Sequence, residues 1–203
     1  MNRKALVLLI LLTVLLLDQG LKVWVKTHLH YGEEFGILGS DHFLIHFVEN
    51  NGMAFGLSLG GRVGKLVLSL FRFGAVVLLA LYLRQLLQQR VSRLLIAAFA
   101  FIEAGAVGNI IDSIFYGVLF SESGPHTGLA RFWPEGGGYE SLFHGRVVDM
   151  LYMPLVYGVY PDWLPIVGGN SFLFFRPIFN VADVSITVGV VLLLAHYYLR
   201  RRA

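Results

Sequence analysis

Asp18, Asp112, Asp149 and Asp183 are the residues of this sequence best suited to chemistry, because each carboxylate lies in or beside an apolar run. An acid in such a place is costly unless it is paired, hydrated or used. Two carboxylates meeting at a dry interface share one proton, since like charges a few ångströms apart do not both ionise easily. One then acts as base on a water while the other donates to a carbonyl oxygen, which is the chemistry of aspartic hydrolysis without metal or nucleophilic side chain. A serine route is disfavoured: Ser113 neighbours Asp112, but no histidine is placed as an obvious base. The sequence holds no cysteine, which removes disulfides, thiol chemistry and Cys-ligated metals. Residue chemistry leaves open which two aspartates form the pair.

Each acid also has a purely structural reading. Asn180 and Asp183, three apart, fit a capping box at the start of the last helix. Asp18 and Lys22, four apart, share a helix face and can neutralise each other there. Gly105, Asn109 and Asp112 fall on one face of a third helix, where small residues allow close approach and an amide can bond a neighbour. Asp149, framed by the apolar run Arg146-Val147-Val148-Asp149-Met150-Leu151-Tyr152, is either an acid with a raised pKa or a solvated strand-end residue. His28, His30, His42 and His46 invite a zinc reading, but no spacing closes a three-ligand set and there is no HExxH helix, so no metal or other cofactor is expected. Glu103 lies off the Asn109 face and has no assigned role.

The elements that must position these residues belong to a membrane protein. Among the 203 residues 56% are hydrophobic, with a mean hydropathy of +0.68, well beyond a soluble domain, which runs at about half apolar residues. The net charge of +3 and pI near 9.3 do not mark a nucleic-acid binder, because the basic residues cluster at the ends of apolar runs. The pattern predicts an all-α membrane protein in one domain, with four transmembrane helices at about 5–25, 64–87, 94–116 and 182–199. The first could be a signal peptide, but Asp18-Gln19-Gly20 stands where a cleavage site would be, and it is read as a retained helix. External segments fall at about 27–63 and 117–181. The first holds the β-like stretch His42 to Val48, followed by a turn from Glu49 to Gly56. The second is long enough for a lid or interfacial platform. Arg3 and Lys4, the basic loop with Arg84, Arg90 and Arg93, and Arg200 to Arg202 place both termini in the cytoplasm by the positive-inside rule. Arg72, inside the second run, must face protein, water or headgroups.

Depth gathers the acids. At about 1.5 Å per residue, Asp18 lies some 20 Å along an inside-to-outside helix, Asn109 and Asp112 lie near the outer end of the third, and Asp183 opens the fourth from outside. All arrive at the outer leaflet, and Asn50 and Asp149 sit on external segments able to fold back to that level. Independent capping accidents are not expected to converge in this way.

The chain resembles the lipoprotein signal peptidases, the type II signal peptidases of bacteria, over nearly its whole length. The resemblance is carried by Asp18-Gln19 with Lys22, Asn50-x-Gly52-x-Ala54-Phe55-Gly56, Gly105-x-x-Gly108-Asn109-x-x-Asp112, Val147-Val148-Asp149 and Phe179-Asn180-x-Ala182-Asp183. It implies four transmembrane helices with a small extracytoplasmic β-cradle, and a catalytic pair falling on Asp149 and Asp183. It implies that Asn50, Gly52, Asn109, Asp112, Asn180 and Ala182 line or brace the substrate site, with Asp18 and Lys22 supporting it. The implied reaction is hydrolysis of a prolipoprotein just before its diacylglyceryl-modified cysteine, by a monomer in the bacterial inner membrane whose partners are that substrate and membrane lipid.

Two positions depart from the family pattern: Ala104 stands where a second glycine is usual, and Ser113 where an arginine is usual. Arg146 or Arg131 is a candidate substitute for that arginine. The loop from Gly117 to Gly145 is longer than the family leads one to expect, and is read as a mobile cover over the cleft. The rival reading is a small membrane transporter or ion-binding bundle using the buried acids, against which stand their collection at one level and the lack of an evident inverted repeat. A non-catalytic assembly protein would need the acids only for packing.

Overall fold

Four long apolar helices carry the chain back and forth, and a small sheet is built on one end of them. The computed structural model describes residues 2–51, 61–174 and 177–202. Gly52, with Ala54, Phe55 and Gly56 of the same motif, lies outside the described residues. The helices are α1 (Arg3–His28), α2 (Gly61–Gln88), α3 (Arg93–Ile111) and α4 (Val181–Arg202). α3 runs on through a π-helical stretch, Asp112–Tyr116, and a last turn, Gly117–Leu119. All four are long and apolar enough to cross a membrane. Their apolar side chains also face outward, as in Leu16, Phe71, Leu78 and Leu194, an arrangement suited to lipid rather than water.

The helices start where caps allow. Asn2 accepts the Ala5 N–H at 2.7 Å and Ser92 accepts the Leu95 N–H at 3.1 Å, each satisfying an otherwise unpaired first-turn donor. α3 is the central span, and glycines let α4 come against it. A Cβ at Gly105 would stand 2.2 Å from the Ala182 carbonyl oxygen, and one at Gly189 would stand 2.6 Å from that of Ala98. Val7, Ile10, Val14, Leu83, Ile96, Ala100 and Ala104 fill the core between α1, α2 and α3.

The strands are β1 (Glu34–Gly36), β2 (Leu44–Asn50), β3 (Val147–Tyr152), β4 (Val156–Val159), β5 (Ser171–Phe174) and β6 (Ile178–Phe179). Four of them form one antiparallel sheet in the order β1-β2-β3-β6. The expected turn from Glu49 does not begin there: β2 continues through Asn50, because Glu49 pairs with Val148 and Asn50 with Val147. Alternation of side chains across a strand then divides labour between the two faces. Ile45, Phe47, Val148 and Met150 pack on Val25, Leu29, Tyr116 and Phe120, while Asp149 and Asn50 point to the other face. β4 and β5 make a separate hairpin, an element that the sequence pattern did not reveal within the long external segment.

Candidate active site

α4 begins with a reciprocal cap. Asn180 Oδ1 accepts the Asp183 N–H at 3.0 Å, and Asp183 Oδ2 accepts the Asn180 N–H at 3.2 Å. This is the capping box read from the sequence. It uses only one face of each side chain. Asp183 Oδ1 accepts from Asn109 Nδ2 at 2.9 Å, and Asn180 Nδ2 donates to Asp149 Oδ1 at 2.6 Å and also lies 3.1 Å from Asn109 Oδ1. Asn180 is fully buried.

Asp149 lies within β3 and is 3% exposed, which excludes the solvated strand-end reading. Its Oδ2 accepts from Asn50 Nδ2 on the neighbouring strand β2. Burial first, and the charge of Asp183 second, push the Asp149 carboxyl up to about 7. Asp149 and Asp183 therefore feel each other electrostatically, and Asn180 touches both.

Beneath them lies a buried charge cluster. Lys22 Nζ stands 2.9 Å from Asp18 Oδ2, 2.8 Å from Asp112 Oδ2 and 2.8 Å from Asn109 Oδ1. Both ion pairs are fully buried, so each charge has its counter-charge at hand, as a buried ion requires. The remaining oxygens hold the backbone. Asp18 Oδ1 accepts the Ala182 N–H at 2.9 Å, a first-turn donor of α4, and Asp112 Oδ2 accepts the Val148 N–H at 3.2 Å. The cluster thus ties α1, α3, β3 and α4 together around Asn180, which bonds both aspartates. A Cβ on Gly108 would lie 2.7 Å from Asp18 Oδ2, so the glycine is what admits the carboxylate to α3.

Of the predicted residues, Asp18, Lys22, Asn50, Asn109, Asp112, Asp149, Asn180, Ala182 and Asp183 come together in one connected network. Gln19 was legible only as part of a motif. Its amide nitrogen reaches Asp18, the Gly108 carbonyl and Asp112 at 3.0 to 3.1 Å, while its oxygen accepts from Tyr116. Arg72 of α2 lies within electrostatic reach of Asp149 and Asp183; a lone arginine in an apolar run was the available signal for it.

Arg146 directs its guanidinium to Glu122 at 3.1 Å and Glu49 at 3.5 Å, over the Tyr139 ring, and Arg131 is exposed. Ser113 is fully buried and donates to the Asn109 carbonyl at 3.1 Å, so a small hydroxyl closed onto its own helix occupies the place. The histidines are dispersed: His28 stacks on Trp24, His42 meets the Pro154 carbonyl at 3.2 Å, and His46 pairs with Glu34 at 2.5 Å. Glu103 is buried, and its Oε2 has no hydrogen-bond partner among the described residues.

The chain is similar to known proteins in fold and in sequence. A structure described as a bacterial membrane enzyme, determined by the in meso method at 2.3 Å, superposes with a TM-score of 0.62 at 23% identity, covering 97% of this chain and 89% of that one. A lipoprotein signal peptidase of Porphyromonas gingivalis is 49% identical over 189 residues, 93% of this chain and 80% of that protein. Another, from Amoebophilus asiaticus, is 35% identical over 187 residues, 91% of this chain and 74% of that protein. The sequence model of the signal peptidase (SPase) II family matches residues 10–199. With the acids and amides of the motifs joined in one network on a four-span bundle, and with matches of this length, the chain belongs to the signal peptidase II family, the lipoprotein signal peptidases.

Proposed function

We propose that this peptidase is a membrane aspartic endopeptidase that cleaves a prolipoprotein just before its diacylglyceryl-modified cysteine, with Asp149 and Asp183 as the catalytic pair. The observation that carries the reading is the position of Asn180, whose side chain donates to Asp149 and whose backbone N–H donates to Asp183. One residue thereby holds two carboxylates at the end of an apolar bundle, beside the level at which a diacylated cysteine would lie.

The division of roles follows from the surroundings. Asp149, buried and facing the charge of Asp183, keeps its proton up to about pH 7 and is the donor to the scissile carbonyl oxygen. Asp183 is in the first turn of α4, accepts two N–H donors, and takes the proton of the attacking water. Water oxygen adds to the carbonyl carbon, the carbonyl oxygen takes the Asp149 proton, and a tetrahedral diol forms. On collapse the C–N bond breaks, the leaving amine takes the proton held by Asp183, and a diol proton returns to Asp149. The pair ends as it began, with one proton.

Asn50 and Asn180 orient Asp149 from either side. Asn109, held by Lys22, orients Asp183. Asp18, Lys22, Asp112 and Ala182 brace the frame, and Gly52 is assigned to the same substrate cleft from its motif. The acyl chains stay in the outer leaflet of the inner membrane, both termini face the cytoplasm, and the enzyme acts as a monomer without cofactor.

Single Asp149→Asn and Asp183→Asn variants, checked for folding in detergent, test this against cleavage of a lipidated precursor. Each is expected to lower turnover by about 10²- to 10⁴-fold, the usual contribution of a positioned acid or base. Turnover retained in a folded variant of either kind overturns the paired mechanism.

A further inference from the structure

Between the strand bearing Asp149 and the helix bearing Asp183 stands the hairpin β4–β5, which forms its own two-stranded sheet. A lone two-stranded hairpin is marginally stable in water. This one also turns large apolar side chains outward: Tyr157 (66% exposed), Val159, Trp163 (79%), Ile166 (100%) and Phe174. Ile166 has φ +75°, a left-handed conformation that a β-branched residue rarely adopts, and it is held there with its whole side chain exposed.

Charge separates this segment from the rest of the external chain. Residues 153–177 contain only Asp162 and Arg176 as charged residues, whereas residues 117–146 contain Glu122, Arg131, Glu135, Glu140 and Arg146. Tyrosine and tryptophan among aliphatic residues, with few charges, is the composition of the membrane interface. The position agrees: β5 ends at Phe174 and α4, a membrane-length span, begins at Val181. The base of the hairpin therefore stands within a few residues of the point where the chain enters the bilayer.

We propose that the β4–β5 hairpin is a lipid-interface anchor whose tip, around Trp163 and Ile166, sits in the headgroup and upper acyl region of the outer leaflet. The lipid covers apolar side chains that water would penalise. Because the hairpin joins β3 to β6 and α4, its seating in lipid also steadies the connection between Asp149 and Asp183. The proposal rests on the helices being membrane spans and is independent of the peptidase reading.

The test uses the full chain in phospholipid nanodiscs, with Trp24→Phe and Trp133→Phe so that Trp163 is the one remaining tryptophan. Its emission is expected to be quenched by lipids brominated high on the acyl chain and little affected by iodide. A companion protein retaining only Trp133, 70% exposed on the charged segment, is expected to show the reverse. Trp163 as open to iodide as Trp133 overturns the anchor, and so does Trp163 shielded from both quenchers, which places it against protein. Should the tryptophan variants fail to fold, Ile166→Cys in this cysteine-free chain accepts a spin label. Relaxation by oxygen above that by an aqueous nickel chelate supports the anchor, and the opposite order overturns it.

Discussion

Asn180 and Asp183 cap each other across three residues, the Asn180 N–H on Asp183 Oδ2 at 3.2 Å and the Asp183 N–H on Asn180 Oδ1 at 3.0 Å. The cap fixes the Asp183 carboxylate while leaving the Asn180 amide nitrogen free to turn toward Asp149. Holding the helix start and holding the Asp183 carboxylate are here the same contact.

Asn180→Ala removes both functions. Loss of an N-cap costs about 1 kcal/mol, a modest drop in melting temperature, while the loss of alignment at Asp149 and Asp183 is expected to lower kcat far more than that destabilisation explains. Asn180→Ser restores a capping oxygen but no amide donor, so it should recover stability without recovering kcat. Thermal melts in detergent, run beside turnover on a lipidated precursor, separate the two effects.

The pH profile follows from Asp149. Its folded pKa is raised to about 7, so its proton is present below that pH and lost above it; if Asp149 donates that proton to the scissile carbonyl, as proposed, the rate follows it. Cleavage is expected to fall as pH rises through about 7, and kcat/KM measured from pH 5 to 9 checks it. Stability follows the same sign. The folded protein binds this proton more tightly than an unfolded aspartate, whose pKa is about 3.9, so stability present at low pH declines between about pH 4 and 7. In Asp149→Asn that slope should flatten.

Lys22→Met leaves Asp18 and Asp112 buried without their shared cation. Removing one partner of a buried ion pair typically costs about 3–5 kcal/mol, and here two carboxylates are stranded. The variant is expected to lose folded yield or melt much earlier. Lys22→Met combined with Asp18→Asn and Asp112→Asn should regain part of that stability, as read by melting temperature and detergent-soluble yield.

Gly105→Ala tests the α3–α4 approach. The new Cβ would sit 2.2 Å from the Ala182 carbonyl oxygen, which is backbone and cannot swing aside. Overpacking of this kind costs about 1–3 kcal/mol and displaces the first turn of α4, so both stability and turnover should fall. Gly74→Ala on α2, with nothing within 4 Å of the added Cβ, is the neutral control.

Arg72→Gln is expected to lower turnover with little change in folded yield, since Arg72 is charged against both aspartates from a helix whose side chains are largely turned outward. A shift in the alkaline limb of the pH profile would mark an electrostatic role, which a packing defect would not produce.

By itself the sequence determined the membrane class, the four spans and most members of the polar network, with Gln19 and Ala182 entering only through the family motifs. These rest on local rules: apolar runs of spanning length, basic residues at their ends, and acids that must find partners. The spacing of Asp18 and Lys22 and that of Asn180 and Asp183 were readable because both ends of each contact lie within one helical turn. Only the tertiary structure decided the contacts between distant segments. It set Asp149 in mid-strand rather than at a strand end, carried β2 through Asn50, sent Arg146 to Glu49 and Glu122, and raised the apolar β4–β5 hairpin. The physical reason is that strand register and ion-pair choice are settled by whatever packs opposite. For Asp149 that is Asn50 from one chain segment and Asn180 from another, 99 and 31 residues away.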